Sequence, residues 1–138
     1  MQTVSVERTV DAPPSDVEDA MGDLAAFIRA AGFDEVAVDG DEIRVANQVG
    51  VTEIELVLAV VDREGAGLAY EQREGIFEEM WTTYALDDLG GDGTRVTAET
   101  AFAMDVPLVG DVLDATIVKR QRRRELDAQL DWLSSTVA

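Results

Sequence analysis

Two glutamates and one tyrosine on the predicted inner face of a sheet are the chain's candidates for acid–base chemistry. The sequence contains no histidine and no cysteine, which removes the usual general base near neutral pH and the thiol nucleophile. Strand alternation counted back from Val96 places Glu74, Glu78 and Tyr84 on one face of a predicted sheet. A carboxylate beside a phenol can transfer protons, so Glu78 or Glu74 acting with Tyr84 is one hypothesis for catalysis. The alternative is that each glutamate forms an ion pair or lies at the rim of a cavity.

A basic run, KRQRRR at Lys119–Arg124, is the second candidate for a site. On a helix, consecutive side chains point about 100° apart, so the run cannot face one partner as a block. The spacing predicts that Lys119 and Arg123 face the sheet together with Leu126, whereas Arg122 points elsewhere. Three interpretations remain open: a solvated helix braced by ion pairs, an anion site at the mouth of a cavity, and nucleic-acid binding, which the overall charge opposes.

Charge is the strongest feature of the composition. The chain has 138 residues, of which 11 are basic and 29 acidic, giving a formal net charge of -18. Such a charge repels nucleic acid and anionic lipid, so we expect no nucleic-acid partner and no membrane insertion. The acid-rich, lysine-poor composition resembles that of proteins from extreme halophiles, and the alternative is an ordinary acidic protein. No apolar run approaches the ~20 residues that cross a bilayer, and no signal peptide is recognisable, so we expect a cytoplasmic protein.

The elements that must position these residues follow from hydrophobic periodicity. Thr3–Val10 alternates like a strand, and the two prolines after it precede two short helices that bend at Gly22. Six further strands are predicted in hairpin succession, over residues 35–39, 42–49, 51–62, 68–74, 76–86 and 94–105. A long helix then runs from about Asp111 to Ser134. This order predicts a single α+β domain over residues 1–138, with a curved antiparallel sheet of about seven strands wrapped around the long C-terminal helix.

Three stretches of the chain carry a resemblance to a known family. VERTVDAPPSDVEDAMGD reads as a strand, an Ala-Pro-Pro turn and a helix; TTYALDDLGGDGTRVTAETAF reads as a hairpin; PLVGDVLDATIVKRQRRRELDAQLDWL reads as the final helix. In this order they resemble the START/polyketide-cyclase superfamily (SRPBCC), which has the helix-grip fold. The aromatic and proline-rich segment of its coenzyme-Q-binding branch is missing. The resemblance therefore favours the polyketide cyclase/dehydrase-like group, which includes ligand carriers, cyclases and dehydratases.

The resemblance implies a gap between the sheet and the long helix, with apolar walls and a few polar groups, which suits a small molecule. Binding of a small hydrophobic or aromatic ligand in this gap, as in a carrier or a sensor, is the function we expect. The residues expected to contact the ligand lie on the inner sheet face and on the helix, and they are Asn47, Leu58, Tyr70, Gln72, Met80, Thr82, Tyr84, Ala98, Thr100, Phe102, Ile117 and Arg123.

Two other functions stay open at this point. One is a polyketide cyclase/dehydratase-like enzyme that uses Glu78 or Glu74 with Tyr84. The other is an interaction module with a filled core, such as a homodimer formed through an outward-facing Trp81. No cofactor is predicted, and no metal site either, because the acidic clusters lack the twelve-residue spacing of a calcium-binding loop.

The composition leads to a prediction about salt. Because acidic residues outnumber basic ones by 29 to 11, self-repulsion destabilises the folded state when ionic strength is low. We expect the melting temperature to rise between dilute buffer and molar KCl, measured by circular dichroism. A melting temperature that does not change with salt would contradict the halophile interpretation.

Overall fold

Seven strands and three helices lie in the part of the chain that the structure describes, which is residues 1–49, 51–104 and 115–137 of a computed structural model. The strands are β1 (Gln2–Val10), β2 (Glu35–Asp39), β3 (Glu42–Val49), β4 (Thr52–Val60), β5 (Leu68–Glu74), β6 (Glu79–Asp88) and β7 (Thr94–Ala103). The helices are α1 (Pro14–Gly22), α2 (Leu24–Arg29) and α3 (Ala115–Val137), and a 3₁₀ turn (Gly90–Asp92) joins β6 to β7. The predicted α+β order is confirmed, whereas the predicted helix start near Asp111 lies outside the described residues.

The strands form one antiparallel sheet in the order β1-β7-β6-β5-β4-β3-β2. From β2 to β7 each strand pairs with its successor, which is the outcome of short hairpin connections. The exception is β1, which pairs with β7 so that Gln2 lies opposite Phe102 and Val10 opposite Thr94. The two strands at the edges of the sheet are therefore β1 and β2.

The core lies between the inner face of this sheet and α3. Helix α3 contacts β1, β7, α1 and α2, and the side chains of Phe27, Phe102, Leu126 and Leu130 are fully buried there. On β7 the alternate residues face inward, as the period of two requires. In the described part of the chain, no helix is long and apolar enough to span a membrane.

A bulge in β5 corrects the predicted orientation of Glu74. Leu58 on β4 lies opposite Gln72, yet the preceding residue, Val57, lies opposite Glu74. One extra residue of β5, Arg73, is thus inserted between the two pairs, and the alternation is reversed beyond it. Glu74 consequently shares the outer side of the sheet with Val57 and is exposed, so the prediction that it faces inward is wrong.

The connection from β5 to β6 likewise corrects Glu78. Residues 75–78 form a turn and not the predicted start of a strand, so alternation counted from β6 does not apply to them. The turn is held by Gln72, whose Nε2 donates to the carbonyl oxygen of Phe77 at 2.8 Å and whose Oε1 accepts from the Phe77 amide at 3.2 Å. Gly75 makes this possible, because a Cβ there would collide with the side chains of Gln72 and Leu56. Phe77 turns inward, and Glu78 is exposed.

The buried face of α3 differs from the predicted one. Its buried residues are Val118, Arg122, Glu125, Leu126, Gln129, Leu130 and Leu133. At 100° per residue, the centre of this arc lies about 40° from the line through Leu126, Leu130 and Leu133, on the side away from Arg123. Arg123 is exposed and Lys119 half-buried, while Arg122 is 6% exposed. The prediction that Arg123 faces the sheet and Arg122 points elsewhere is therefore wrong.

Candidate functional site

A row of polar side chains is buried where α3 faces the sheet. Arg122, Glu125 and Gln129 are 6, 3 and 1% exposed, and their spacing of three and four residues places them on one side of the helix. Burial of a charged side chain costs several kcal/mol per ion, which is recovered only when the charge is well paired. The partners of these side chains therefore determine what the site can do.

Arg122 joins the helix to two strands of the sheet. Its Nη1 forms an ion pair with Oε1 of Glu125, three residues further along the helix. Its Nη2 donates hydrogen bonds to Oγ1 of Thr82 at 3.0 Å and to Oγ1 of Thr100 at 3.1 Å. Thr82 and Thr100 lie opposite each other on β6 and β7. Both ends of the guanidinium group are thus held, one by a charge and the other by two hydroxyls.

The two threonines accept from Arg122, because a guanidinium group has only donors, and their own protons point to other acceptors. Thr100 Oγ1 lies 3.1 Å from the backbone oxygen of Trp81 and 2.9 Å from Thr82 Oγ1. Each hydroxyl has a single proton, so Thr100 donates to the Trp81 carbonyl and Thr82 donates to Thr100. Both oxygens keep lone pairs for the guanidinium group. The sheet thereby stabilises the cation without adding a negative charge.

Arg122 is a permanent cation in this environment. Its burial would lower the pKa, but the neighbouring Glu125 carboxylate outweighs that effect, so the pKa of Arg122 is raised above its ordinary value. One donor of the group is left over. The Nε atom of Arg122 is buried and has no hydrogen-bond acceptor among the described residues, a state that ordinarily costs about 1–3 kcal/mol.

Glu125 is also contacted from two directions by amides. Asn47 on β3 donates through Nδ2 to Glu125 Oε2 at 3.4 Å, and Gln121 donates through Nε2 to the same oxygen at 3.3 Å. Both bonds are long compared with the usual 2.9–3.0 Å. The carboxylate thus has one strong cationic partner on one oxygen and two weaker neutral partners on the other.

Four of these polar side chains, Asn47, Gln121, Arg122 and Glu125, form one wall of a cleft between the sheet and α3. The other walls are apolar and aromatic, and the whole lining consists of Phe33, Val45, Asn47, Ile54, Leu56, Phe77, Val118, Gln121, Arg122 and Glu125. The cavity within the cleft has a volume of about 30 Å³, and the empty space including its opening to solvent is about 410 Å³. An apolar cleft that converges on a few polar groups has the composition of a small-molecule site.

A second polar chain lies deeper in the core. Tyr84 donates its hydroxyl proton to Gln129 Oε1 at 2.6 Å, so Tyr70, whose hydroxyl lies 2.8 Å away, donates to Tyr84. Gln129 in turn donates through Nε2 to the backbone oxygen of Phe27 at 3.2 Å. Burial, together with the neighbouring Tyr70, raises the pKa of Tyr84 well above its ordinary value. Tyr84 is therefore a neutral hydrogen-bond donor at physiological pH and a poor acid.

A larger groove of about 850 Å³ runs along β2, β3 and β4 and is less suited to an apolar ligand. Its lining includes the charged side chains Arg29, Asp34, Glu35, Arg44, Glu55 and Glu74. Such a groove keeps its polar walls hydrated and encloses little apolar surface. Among the described residues, no group of three or more acidic side chains is placed to hold a metal ion.

Comparison with known proteins assigns the family. The chain matches the family described as polyketide cyclase / dehydrase and lipid transport over residues 1–138. The chain belongs to this family. No curated protein matches it.

Solved structures with the same fold cover nearly the whole chain. TTHA0849 from Thermus thermophilus has a TM-score of 0.74 and 21% identity, over 99% of this chain and 97% of its own. A START superfamily protein from Mycobacterium smegmatis has a TM-score of 0.72 and 16% identity, over 98% and 96%. The Zhui aromatase/cyclase from Streptomyces has a TM-score of 0.76 and 17% identity, over 99% and 96%. These likenesses confirm the predicted helix-grip fold of this polyketide cyclase/dehydrase family member.

Most of the residues that were expected to contact a ligand are buried on the inner sheet face, where they pack against other side chains and do not line the cleft. Leu58, Tyr70, Met80, Thr82, Tyr84, Ala98, Thr100 and Phe102 are all buried on the inner face, and none of them is part of the cleft lining. Gln72 holds the β5–β6 turn, while Ile117 is half-buried and lies outside the cleft lining. Asn47 is the predicted contact that does line the cleft. A ligand-binding role for any of these residues stays a prediction.

Three residues expected to take part in binding or catalysis lie outside the cleft lining. Arg123 is exposed on α3, and the proposed catalytic glutamates Glu74 and Glu78 are exposed at the far end of β5 and in the following turn. Trp81 is half-buried on the outer sheet face, where the guanidinium carbon of Arg63 lies 5.2 Å from the centre of its ring. This distance is within the range of a cation–π interaction.

Sequence reasoning missed Arg122 and Glu125 because both are charged. Their signal was the spacing of Val118, Arg122, Glu125 and Gln129, which repeats at three and four residues beside the leucines. A search for a buried helix face that considers only apolar residues does not detect this pattern, because three of its four members are polar. Phe33 and Phe77, which lie in a loop and a turn, gave no periodic signal at all.

Removal of Arg122 should destabilise the protein far more than removal of its neighbour. Arg122→Ala leaves Glu125 as a buried carboxylate without its cation, which costs about 3–5 kcal/mol of unfolding free energy. Arg123→Ala removes an exposed arginine and should change stability by less than about 0.5 kcal/mol. Urea denaturation of both variants in the same salt measures the difference, and equal midpoints would show that the ion pair does not support the fold.

The raised pKa of Tyr84 makes stability depend on alkaline pH. An unfolded tyrosine ionises near pH 10, whereas the folded protein retains this proton at higher pH. The contribution of Tyr84 is therefore fully present below about pH 10 and is lost as the pH rises above that value. In Tyr70→Phe, Tyr84 is the single remaining tyrosine, so tyrosinate absorbance should appear only together with loss of far-ultraviolet ellipticity. Ionisation near pH 10 in a protein that remains folded would contradict the burial of Tyr84.

Proposed function

We propose that the protein binds a small apolar or aromatic molecule in the cleft between the sheet and α3, and acts as a carrier or sensor. The observation that supports this is the lining of the cleft, in which six apolar or aromatic side chains surround one wall of four polar groups. Apolar walls provide binding energy, and a few fixed polar groups orient the ligand. The family's description includes lipid transport, which agrees with a binding role.

The dimensions of the cleft limit how a ligand could enter. A cavity of about 30 Å³ accommodates one or two water molecules and no more. A ligand with an aromatic ring must therefore displace side chains at the opening, although the empty space of the whole cleft, counted together with its opening to solvent, is about 410 Å³. Phe33 and Gln121 are half-buried, so these two side chains can move at lower cost than the fully buried walls. We infer that binding is coupled to a small opening of this end of the cleft.

A cyclase-like reaction is less well supported by the same geometry. One of the solved relatives is an aromatase/cyclase, but the carboxylates that the sequence suggested for such chemistry, Glu74 and Glu78, are exposed. Tyr84 is buried behind Gln129 and is a poor acid. The carboxylate that does line the cleft, Glu125, is held in an ion pair. Binding without chemistry therefore accounts for more of the structure.

The proposal is tested by obstruction of the cleft. Gln121→Trp should fill the opening and weaken binding of the neutral fluorescent probe N-phenyl-1-naphthylamine by about tenfold. The matched control is Arg120→Trp, which places the same side chain on an exposed position one residue earlier. Fluorescence titration in molar KCl measures both. Equal binding by the two variants, or no binding by the unaltered protein, would overturn the proposed function.

A further inference from the structure

The polar wall of the cleft carries no net charge. It contains one cation, Arg122, and one anion, Glu125, whose side chains are 7% and 4% exposed and paired with each other. The other two members, Asn47 and Gln121, are neutral amides. An ionised ligand group placed beside this wall would be the unbalanced charge of the site, buried without a counterion.

The pairing within the wall is also incomplete in one specific way. Arg122 uses Nη1 for Glu125 and Nη2 for Thr82 and Thr100, but its Nε is a buried donor without an acceptor among the described residues. On the anion, Oε1 accepts from Arg122 and Oε2 accepts from two amides. The wall therefore has one unpaired donor, the Nε–H of Arg122, whereas both carboxylate oxygens of Glu125 already accept hydrogen bonds.

We propose that the cleft selects an uncharged apolar or aromatic molecule with one oxygen acceptor, such as a ketone, and that this oxygen accepts the free Nε–H of Arg122. This inference rests on the proposed function, because it assumes that the cleft is the binding site. A neutral carbonyl oxygen supplies the missing acceptor and leaves the ion pair balanced. A carboxylate would supply an acceptor but add a second negative charge beside Glu125, in a protein whose net charge is already -18.

Three probes of similar shape separate these requirements: acetophenone has a neutral acceptor, ethylbenzene has none, and benzoate is an anion. Their affinities are measured by titration followed through the backbone amide signals of the protein in molar KCl. Ratios between probes are compared from variant to variant, because differences in their solubility in water then cancel. In Arg122→Met/Glu125→Leu, which replaces the ion pair by apolar groups, the preference for acetophenone over ethylbenzene should fall about tenfold.

A second variant tests the charge balance. Glu125→Gln keeps a hydrogen-bonding side chain but leaves Arg122 as an uncompensated cation, so benzoate should gain about tenfold relative to acetophenone. The control is Arg123→Gln, which changes the net charge by the same magnitude with the opposite sign at an exposed position, and its probe ratios should stay within about twofold of the unaltered protein.

The outcomes distinguish the two levels of the proposal. If none of the three probes binds the unaltered protein, the proposed function fails and this inference fails with it. If the probes bind but their ratios are the same in every variant, the cleft binds apolar molecules and the role assigned to Arg122 is wrong. If Arg123→Gln lowers the benzoate ratio by as much as Glu125→Gln raises it, the effect is one of overall charge and the inference is overturned.

Discussion

The ion pair between Arg122 and Glu125 is the interaction on which the arrangement of the core depends. Transfer of two opposite charges into a protein interior costs more than their attraction returns, unless further hydrogen bonds complete their environment. Here the threonines of β6 and β7 accept hydrogen bonds from one end of the cation, and amides from β3 and α3 donate to the anion. Any sideways rotation of α3 would break several of these bonds at once, so the pair fixes which face of the helix meets the sheet.

The same interaction divides the space between helix and sheet into two parts. On one side, the Tyr70–Tyr84–Gln129 chain and the large buried apolar side chains fill the core. On the other side, the pair forms the wall of a cleft that is only partly filled. The candidate site thus lies beside the buried ion pair. Arg122 and Glu125, which stabilise the fold, also form part of the polar surface that a ligand would contact.

The fold followed closely from the sequence, because its evidence is local and repetitive. Alternation in β3, β6 and β7 and the two helices that meet near Gly22 gave the right elements in the right order. The site followed much less well. Glu74 was misplaced by a single inserted residue at the β5 bulge, which alternation cannot anticipate. The face of α3 was misplaced by about 40°, because a pattern of apolar residues locates leucines but not a buried arginine that is paired by residues distant in sequence.

The pairing of β1 with β7 has a consequence for the order in which this chain can assemble. Strands β2 to β7 each find a partner next to them in sequence, whereas β1 must wait for the last strand, since Val4 lies opposite Thr100. Contacts between residues so distant along the chain carry the largest loop-closure entropy and form late. During synthesis on the ribosome, β1 is the first strand of this sheet to emerge and the last to be paired. Its valines are therefore exposed for longer than any other strand's, which makes it the segment most open to chaperones and to aggregation in a nascent chain.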